Sequence, residues 1–278
     1  MRPKTPTIAY SSGDSTVMTK SIKLLLAGLL SLSLVTFAAA QDKPAKPGAP
    51  AAAQPKHDEP KKDAPKAEPK KEEPKKDAAP ASTDEFEYVR MTIAGKGDIV
   101  LRLNKTKAPI STANFMAYVG KNFYNDTTIH RVVNLPVLHV IQGGGFDEKL
   151  HEKTTEKPIK NESSNGLKNK RGTISMARRY QPDSGTSQWF INSKDNLNLD
   201  DPQDPSDKNS AYAVFGDVMA GMSVVDQCVA VRTTTKNGTT SDNKTIRLED
   251  TPAEPLILKS VTKITKEEAD KAAADDKK

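Results

Sequence analysis

Alternation of apolar and polar residues dominates the chain from Glu85 to Ile264. This alternation is typical of β-strands that bury one face. A first strand is predicted at 86–93, and a turn at 95–97, which contains two glycines, leads into a second alternating run at 99–103. Together the two runs predict a β-hairpin.

Most of the remaining domain consists of short β-rich runs between turn-rich loops, whereas two segments have helical periodicity. A helix is predicted over 109–121, since Phe115 and Tyr118 lie on one apolar face, and a second is predicted around 225–229. Further strands are predicted at 128–133, 137–142, 172–176, 188–192, 212–218 and 256–264. Many short strands with only two helices favour a closed or nearly closed barrel whose ends are covered by helices.

The first 40 residues have the pattern of an export signal. Two lysines that follow Met18 precede an apolar run at 24–37, and three alanines ending at Ala40 come next. This order is typical of a secretory signal, and the apolar run is shorter than the roughly 20 residues of a membrane-spanning helix. We predict a start at Met18 and cleavage after Ala40; an uncleaved N-terminal membrane anchor is the alternative.

Residues 41–84 consist almost entirely of Lys, Pro, Ala, Glu and Asp and contain no large apolar side chain. Such a segment cannot bury enough surface to offset the entropy of ordering, so we predict a disordered, fairly extended tether. Binding of this segment to an anionic polymer is the alternative, although its charges nearly balance. The predicted domain is therefore 85–264, and residues 265–278 form a charged C-terminal tail.

Charge and cysteine content exclude several classes of function. The chain carries 42 Lys and Arg against 36 Asp and Glu, a net charge of +6, but the basic residues are interleaved with acidic ones and form no stripe for nucleic acid. The single cysteine, Cys228, excludes an intramolecular disulfide and a paired-cysteine zinc site. No two histidines have the spacing of a helical metal site. We therefore predict no bound metal and no nucleic-acid partner.

Six short motifs occur in a fixed order along the domain. They are Phe123-Tyr124 with Ile129-His130-Arg131-Val132-Val133, then Gln142-Gly143-Gly144-Gly145-Phe146, Gly172-Thr173-Ile174-Ser175-Met176-Ala177, Ser187-Gln188-Trp189-Phe190-Ile191-Asn192, Val214-Phe215-Gly216 and Gly221-Met222. This ordered set resembles the cyclophilins, a family of peptidyl-prolyl cis-trans isomerases, over essentially the whole domain. The run from Pro158 to Leu167 is most similar to bacterial members. With the export signal, the resemblance implies a periplasmic or secreted protein.

The resemblance implies a mainly β fold, a closed antiparallel eight-stranded barrel capped by two helices. It also implies a monomer without a cofactor that accelerates rotation about X-Pro bonds in exported proteins. Arg131 matches the family's catalytic arginine, a permanent cation with forked donors that can hydrogen-bond the proline nitrogen in the twisted amide. The other implied residues bind substrate: Val140, Phe190 and Leu199 around the proline ring, Gln142 at the substrate backbone, Ala177, Arg178 and Gln188 in the groove for preceding residues, and His139 and Tyr212 at the pocket.

Three positions depart from the family pattern. The segment 132–141 is a few residues longer than usual, so that His139 aligns with a pocket phenylalanine; either Leu138 fills that space or the pocket is more polar. Asn198 stands where many members have an aromatic residue linked to cyclosporin binding, which predicts weak cyclosporin sensitivity. Tyr212 occupies a position that is histidine in many eukaryotic members.

These departures leave two alternatives to an active isomerase. The longer segment and His139 favour a proline-peptide-binding chaperone module with weak or no activity. A tethered scaffold whose Lys/Pro-rich segment does the binding is the third reading. The Gly143-Gly144-Gly145 run lacks the Gly-Lys-Ser/Thr ending of a phosphate loop and is interpreted as backbone room beside Gln142.

Overall fold

The computed structural model describes residues 84–278. The predicted export signal and all of the predicted tether except Asp84 lie outside the described residues, as does the predicted start at Met18.

The described segment contains twelve β-strands, three α-helices and two short 3₁₀ turns. The strands are β1 (Phe86–Ile93), β2 (Gly97–Asn104), β3 (Thr127–Thr128), β4 (Arg131–Leu135), β5 (Leu138–Gly143), β6 (Phe146–Asp147), β7 (Thr173–Met176), β8 (Trp189–Asn192), β9 (Val214–Ala220), β10 (Thr233–Thr239), β11 (Thr245–Pro252) and β12 (Ile257–Ile264). The helices are α1 (Pro109–Gly120), α2 (Met222–Val229) and α3 (Lys266–Asp275), and the 3₁₀ turns are Pro182–Ser184 and Leu197–Asp200.

Ten strands form one curled, antiparallel sheet in the order β4-β5-β8-β7-β9-β2-β1-β12-β3-β6, and β10 pairs only with β11. The fold is mainly β, as the sequence predicts, but the expectation of a closed eight-stranded barrel is not met. The terminal strands β4 and β6 do not pair with each other, so the sheet is open. Strands β3 and β6 have only two residues each, which leaves the sheet too little edge at that end to close. The predicted strand 128–133 is split between β3 and β4.

The predicted hairpin of β1 and β2 and the predicted helix α1 are both confirmed. Their apolar positions lie in one core, in which Met91, Leu101 and Phe115 are fully buried. Helix α1 begins with a proline, and the carboxylate of Glu162 accepts hydrogen bonds from the backbone N–H groups of the next two residues, at 2.9 and 2.8 Å. The first N–H groups of a helix have no intrahelical partner, and Glu162 supplies an acceptor for two of them.

The C-terminal segment, which the sequence predicts as a charged tail, forms helix α3 on the outer surface of the sheet. Thr265 and Glu268 form a reciprocal capping box at its start. Ala269 is fully buried in a cluster that includes Tyr88 and Val100. The helix therefore covers apolar side chains of β1 and β2, and the domain continues beyond Ile264.

Replacing Ala269 with aspartate is expected to lower the free energy of unfolding by about 3 kcal/mol, because a carboxylate would enter an apolar cluster without a partner. Urea denaturation measures this change. Ala274→Asp in the same helix is the matched control, since Ala274 is exposed, and it is expected to cost under about 0.5 kcal/mol. Equal losses in the two variants would show that α3 does not pack on the sheet.

Candidate active site

Strand pairing brings Arg131 and Gln142 to one face of the sheet. In the antiparallel pair β4–β5, Arg131 lies opposite Gln142 and Val133 lies opposite Val140. In the pair β5–β8, Gln142 lies opposite Phe190. Directly opposite residues project to the same side of a sheet. The predicted catalytic cation, amide and aromatic ring therefore share one surface.

Beside this polar pair lies an apolar cluster that contains most of the predicted pocket. Its buried members are Val133, Leu138, Val140, Ala177, Phe190, Leu199 and Tyr212. The rings of Phe190 and Tyr212 meet edge to face with centroids 5.8 Å apart. The structure thus unites five predicted site residues with Leu138, which the sequence analysis named as one alternative for the pocket position, and with Val133, which it did not assign to the site.

His139 does not belong to this pocket, and its assignment to the pocket is corrected. Side chains alternate along a strand, so Leu138, Val140 and Gln142 face the site and His139 faces the other side. There the Nδ1 atom of His139 lies 3.0 Å from Oδ1 of Asn134. Leu138, which is fully buried in the apolar cluster, fills the space in question.

The extra residues between Arg131 and Gln142 lengthen a regular hairpin. The β4–β5 ladder continues through the pairs Asn134–His139 and Leu135–Leu138, so that the insertion extends the tip of the hairpin. Leu135 and Val137 at this tip are 41% and 43% exposed. The longer segment therefore leaves the apolar cluster intact.

Arg131 is held in a largely buried position next to a carboxylate. Its side chain is only 14% exposed, and one terminal nitrogen lies 3.4 Å from Oδ2 of Asp250 on β11. Burial lowers the pKa of Arg131, and the charge of Asp250 opposes that change. Because an arginine guanidinium stays protonated in proteins, the site keeps a permanent cation.

Arg178 is committed to the protein itself. Its guanidinium donates hydrogen bonds to the carbonyl oxygens of Arg179, Tyr180, Ser210 and Ala211 and stacks over the ring of Tyr212, 4.5 Å from the centroid. The side chain therefore fixes two loops and the position of Tyr212. Its predicted role in the groove is limited to lining it.

A groove with a volume of about 310 Å³ extends from the site. Ala177, Arg178 and Gln188, which the resemblance assigns to the groove for the residues that precede proline, are among its lining residues, as is Gln142. Glu152 also lines the groove, and its carboxylate accepts a hydrogen bond from the backbone N–H of Ser241 at 3.3 Å. Neither Glu152 nor Ser241 was predicted, because the two meet only through the packing of distant loops.

Gln142 and Gln188 form a pair of amides where the groove meets the apolar cluster. Nε2 of Gln142 donates to Oε1 of Gln188 at 3.0 Å. A Cβ atom at Gly145 would lie 2.5 Å from Nε2 of Gln188, which supports the interpretation of the glycine run as backbone room. Gly144 also has a φ of +85°, a conformation that glycine adopts readily.

His130, next to Arg131 in sequence, is a buried neutral histidine. Its ring packs on Phe146 with centroids 4.7 Å apart. Burial, with a smaller contribution from the charge of Arg131, lowers its pKa from 6.5 to about 3. His130 is therefore uncharged at neutral pH and packs against Phe146 as a neutral imidazole.

The low pKa of His130 predicts a loss of stability in acid. Because the folded pKa lies below the unfolded value, the unfolded chain binds more protons between pH 6.5 and 3, and stability falls as the pH falls through this window. We expect the free energy of unfolding to drop by about 2 kcal/mol between pH 6.5 and 4.5 from this residue. Urea denaturation across this range should show a shallower slope for His130→Gln. His139→Gln, which lies closer to solvent, should change the slope far less, and equal slopes for wild type and His130→Gln would contradict the assignment.

The segment 84–278 contains no cluster of three or more His, Cys, Asp or Glu side chains arranged to hold a metal ion. No helix within it is both long and apolar enough to cross a bilayer.

Comparison with known proteins agrees with this geometry. The family model of cyclophilin type peptidyl-prolyl cis-trans isomerases matches residues 88–250. A peptidyl-prolyl cis-trans isomerase of Acinetobacter baylyi is 52% identical over 139 residues, which cover 50% of this chain and 70% of the relative. Peptidyl-prolyl cis-trans isomerase A of Dickeya dadantii is 43% identical over 61% of this chain and 81% of its own length.

Isomerase B of Escherichia coli is also 43% identical, over 60% of this chain and 93% of its own length. The match to the family model spans more than half of the chain and includes every residue of the apolar cluster. The chain therefore belongs to the cyclophilin-type peptidyl-prolyl cis-trans isomerases and is an enzyme that isomerises X-Pro peptide bonds.

Proposed function

We propose that Arg131 accelerates this rotation by stabilising the twisted amide without forming a covalent bond. The barrier of about 18–20 kcal/mol arises from the partial double-bond character of the C–N bond. When the amide twists, the nitrogen lone pair is no longer delocalised and becomes a hydrogen-bond acceptor. A donor placed at that nitrogen binds the transition state better than the planar ground state, which is the condition for catalysis.

The position of Arg131 carries this proposal. Its guanidinium lies on the face that also presents the apolar cluster, so a proline ring against Phe190 places its nitrogen beside a buried cation. A low-dielectric surrounding strengthens a hydrogen bond of this kind. No proton transfer is required, in keeping with the neutral, buried state of His130.

Gln142 supplies an anchor for the substrate backbone in this scheme. Its Nε2 group donates a hydrogen bond to Gln188, but its Oε1 atom is buried and has no hydrogen-bond partner among the described residues. An unpaired buried acceptor is costly. A substrate N–H group that reaches Oε1 removes this cost and aligns the chain along the groove. Substrate is thus held at the ring by apolar contacts and at the backbone by an amide.

The alternative function, a peptide-binding module with weak or no activity, was favoured by two sequence features, and the structure supports neither. His139 faces away from the pocket, and the extra residues extend the hairpin tip. Leu138 keeps the cluster apolar. Catalysis rather than binding alone is therefore the function that the site supports.

We further propose that the clients are exported proteins and that the enzyme works in the periplasm or outside the cell as a monomer. The sequence of residues 18–40 supports this location. Cell fractionation of a bacterium that expresses the full chain tests it. We expect mature protein lacking residues 1–40 outside the cytoplasm and retention in the cytoplasm when residues 18–40 are deleted. Cytoplasmic full chain would contradict the proposed location and leave the activity unaffected.

A further inference from the structure

Asp250 is the carboxylate that contacts the catalytic cation. Its Oδ2 atom lies 3.4 Å from a terminal nitrogen of Arg131, and the side chains of the two residues are 32% and 14% exposed. Among residues 84–278 no other carboxylate lies within ion-pair distance of Arg131. The neighbouring Gln142 makes no hydrogen bond to the guanidinium, because its Oε1 atom, the part of its amide that could accept from Arg131, has no hydrogen-bond partner among residues 84–278.

The backbone at Asp250 is unusual for a residue other than glycine. Its φ is +55°, in the left-handed region, which Asp and Asn tolerate better than most residues. Asp250 lies near the end of β11, in a hairpin whose second strand packs against β4, the strand that carries Arg131. The hairpin therefore brings the carboxylate next to the guanidinium of Arg131.

Geometry of this kind suits an orienting group. A carboxylate that accepts from one terminal nitrogen restricts rotation of the planar guanidinium and leaves its remaining N–H groups available to a substrate. It also offsets the burial of the cation, which on its own would disfavour the charged form. Both effects act through Arg131, with no contact between Asp250 and the reacting bond.

We propose that Asp250 is a positioning residue that fixes the guanidinium of Arg131 in its catalytic orientation. This inference rests on the proposed role of Arg131. It assigns a catalytic purpose to the β10–β11 hairpin, which otherwise packs beside the sheet without pairing to it.

Asp250→Asn is the appropriate test, because asparagine keeps the size and the tolerance for the left-handed backbone but removes the charge. We expect kcat/KM for an Ala-Pro peptide to fall about tenfold, as for the loss of a charge-assisted hydrogen bond. The loss should appear in kcat with KM within about twofold, since the interaction acts in the transition state. Asp250→Gly, which also accepts a positive φ, should give the same loss.

Asp126→Asn is the matched control. Asp126 has a φ of +56° and an ion pair with Lys259 at 3.2 Å, but it is exposed and lies outside the site. This variant should keep wild-type kinetics. In the ¹⁵N spectrum, the guanidinium N–H signals of Arg131 should show faster rotation about the guanidinium bonds in Asp250→Asn. The rotation rate in Asp126→Asn should equal that of the wild type.

Combination with Arg131→Ala separates the inference from the proposed function. If Asp250 acts through Arg131, adding Asp250→Asn to Arg131→Ala causes no further loss. A folded Asp250→Asn enzyme with wild-type kcat, or the same tenfold loss in both backgrounds, would overturn the inference. Wild-type activity in Arg131→Ala alone would instead overturn the proposed role of Arg131 and the inference that rests on it.

Discussion

Replacing Arg131 with alanine is expected to lower kcat/KM for proline isomerisation by about 10²- to 10³-fold. This is the usual cost of removing one preorganised donor that acts on charge developed in the transition state. The residue is held in place by β4 and largely buried, so water cannot substitute for it with the same geometry. A protease-coupled assay, in which only the trans isomer of the peptide is cleaved, measures the change.

Arg247→Ala is the control for this prediction. Arg247 lies on the hairpin that carries Asp250, but its side chain is 69% exposed and pairs only with Glu249 at the surface. Surface ion pairs contribute little, so activity and stability should stay near wild type. Arg131→Lys keeps the charge without the forked donors and should recover only part of the rate. Full activity in Arg131→Lys would show that charge alone is sufficient.

Phe190→Ala is expected to reduce both stability and substrate binding. Phe190 is fully buried in the apolar cluster and touches Tyr212, so truncation leaves a cavity and should cost about 3–5 kcal/mol of unfolding free energy. Because the proposed function places the proline ring against this cluster, peptide affinity should fall as well. Urea denaturation and peptide titration measure the two effects.

Phe86→Ala provides the comparison. Phe86 is a half-buried aromatic residue at the start of β1, where Arg102 lies over its ring. Its truncation should lower stability by about 1 kcal/mol and leave peptide affinity unchanged. If the folded Phe190→Ala variant bound peptide as tightly as wild type, the apolar cluster would not be the proline pocket.

Local patterns were sufficient to predict the hairpin of β1 and β2 and helix α1. Alternation at 86–93 and the apolar stripe of α1 reflect burial of one face, which sequence records directly. Whether the sheet closes into a barrel cannot be predicted from such local patterns. It depends on strands as short as β3 and β6, whose two residues carry no periodic signal.

The site could be predicted where motif and strand geometry agree. Arg131, Gln142 and Phe190 come from separate motifs, and strand pairing places them side by side. His139 was misplaced because the alignment took no account of the strand face on which each residue lies. Counting in steps of two, as side chains alternate on a strand, leads from Gln142 to Leu138 and puts His139 on the other face.

Long-range partners of the site left no sequence signal. Asp250 is 119 residues from Arg131 in the sequence. No strand was predicted for the segment that forms the β10–β11 hairpin. Arg178 matched the family groove, yet its donors are used by loop carbonyls, a fact that depends on how residues 179–211 fold back. Tertiary packing alone determines both contacts.

Under the proposed function, Arg131 accelerates rotation of the bound peptide and contributes little to binding it. Exchange NMR of a saturating Ala-Pro peptide with wild type and Arg131→Ala tests this claim. We expect both proteins to shift the peptide resonances, with cis–trans exchange cross-peaks only in the wild type. Strong exchange cross-peaks in the Arg131→Ala sample would contradict the claim.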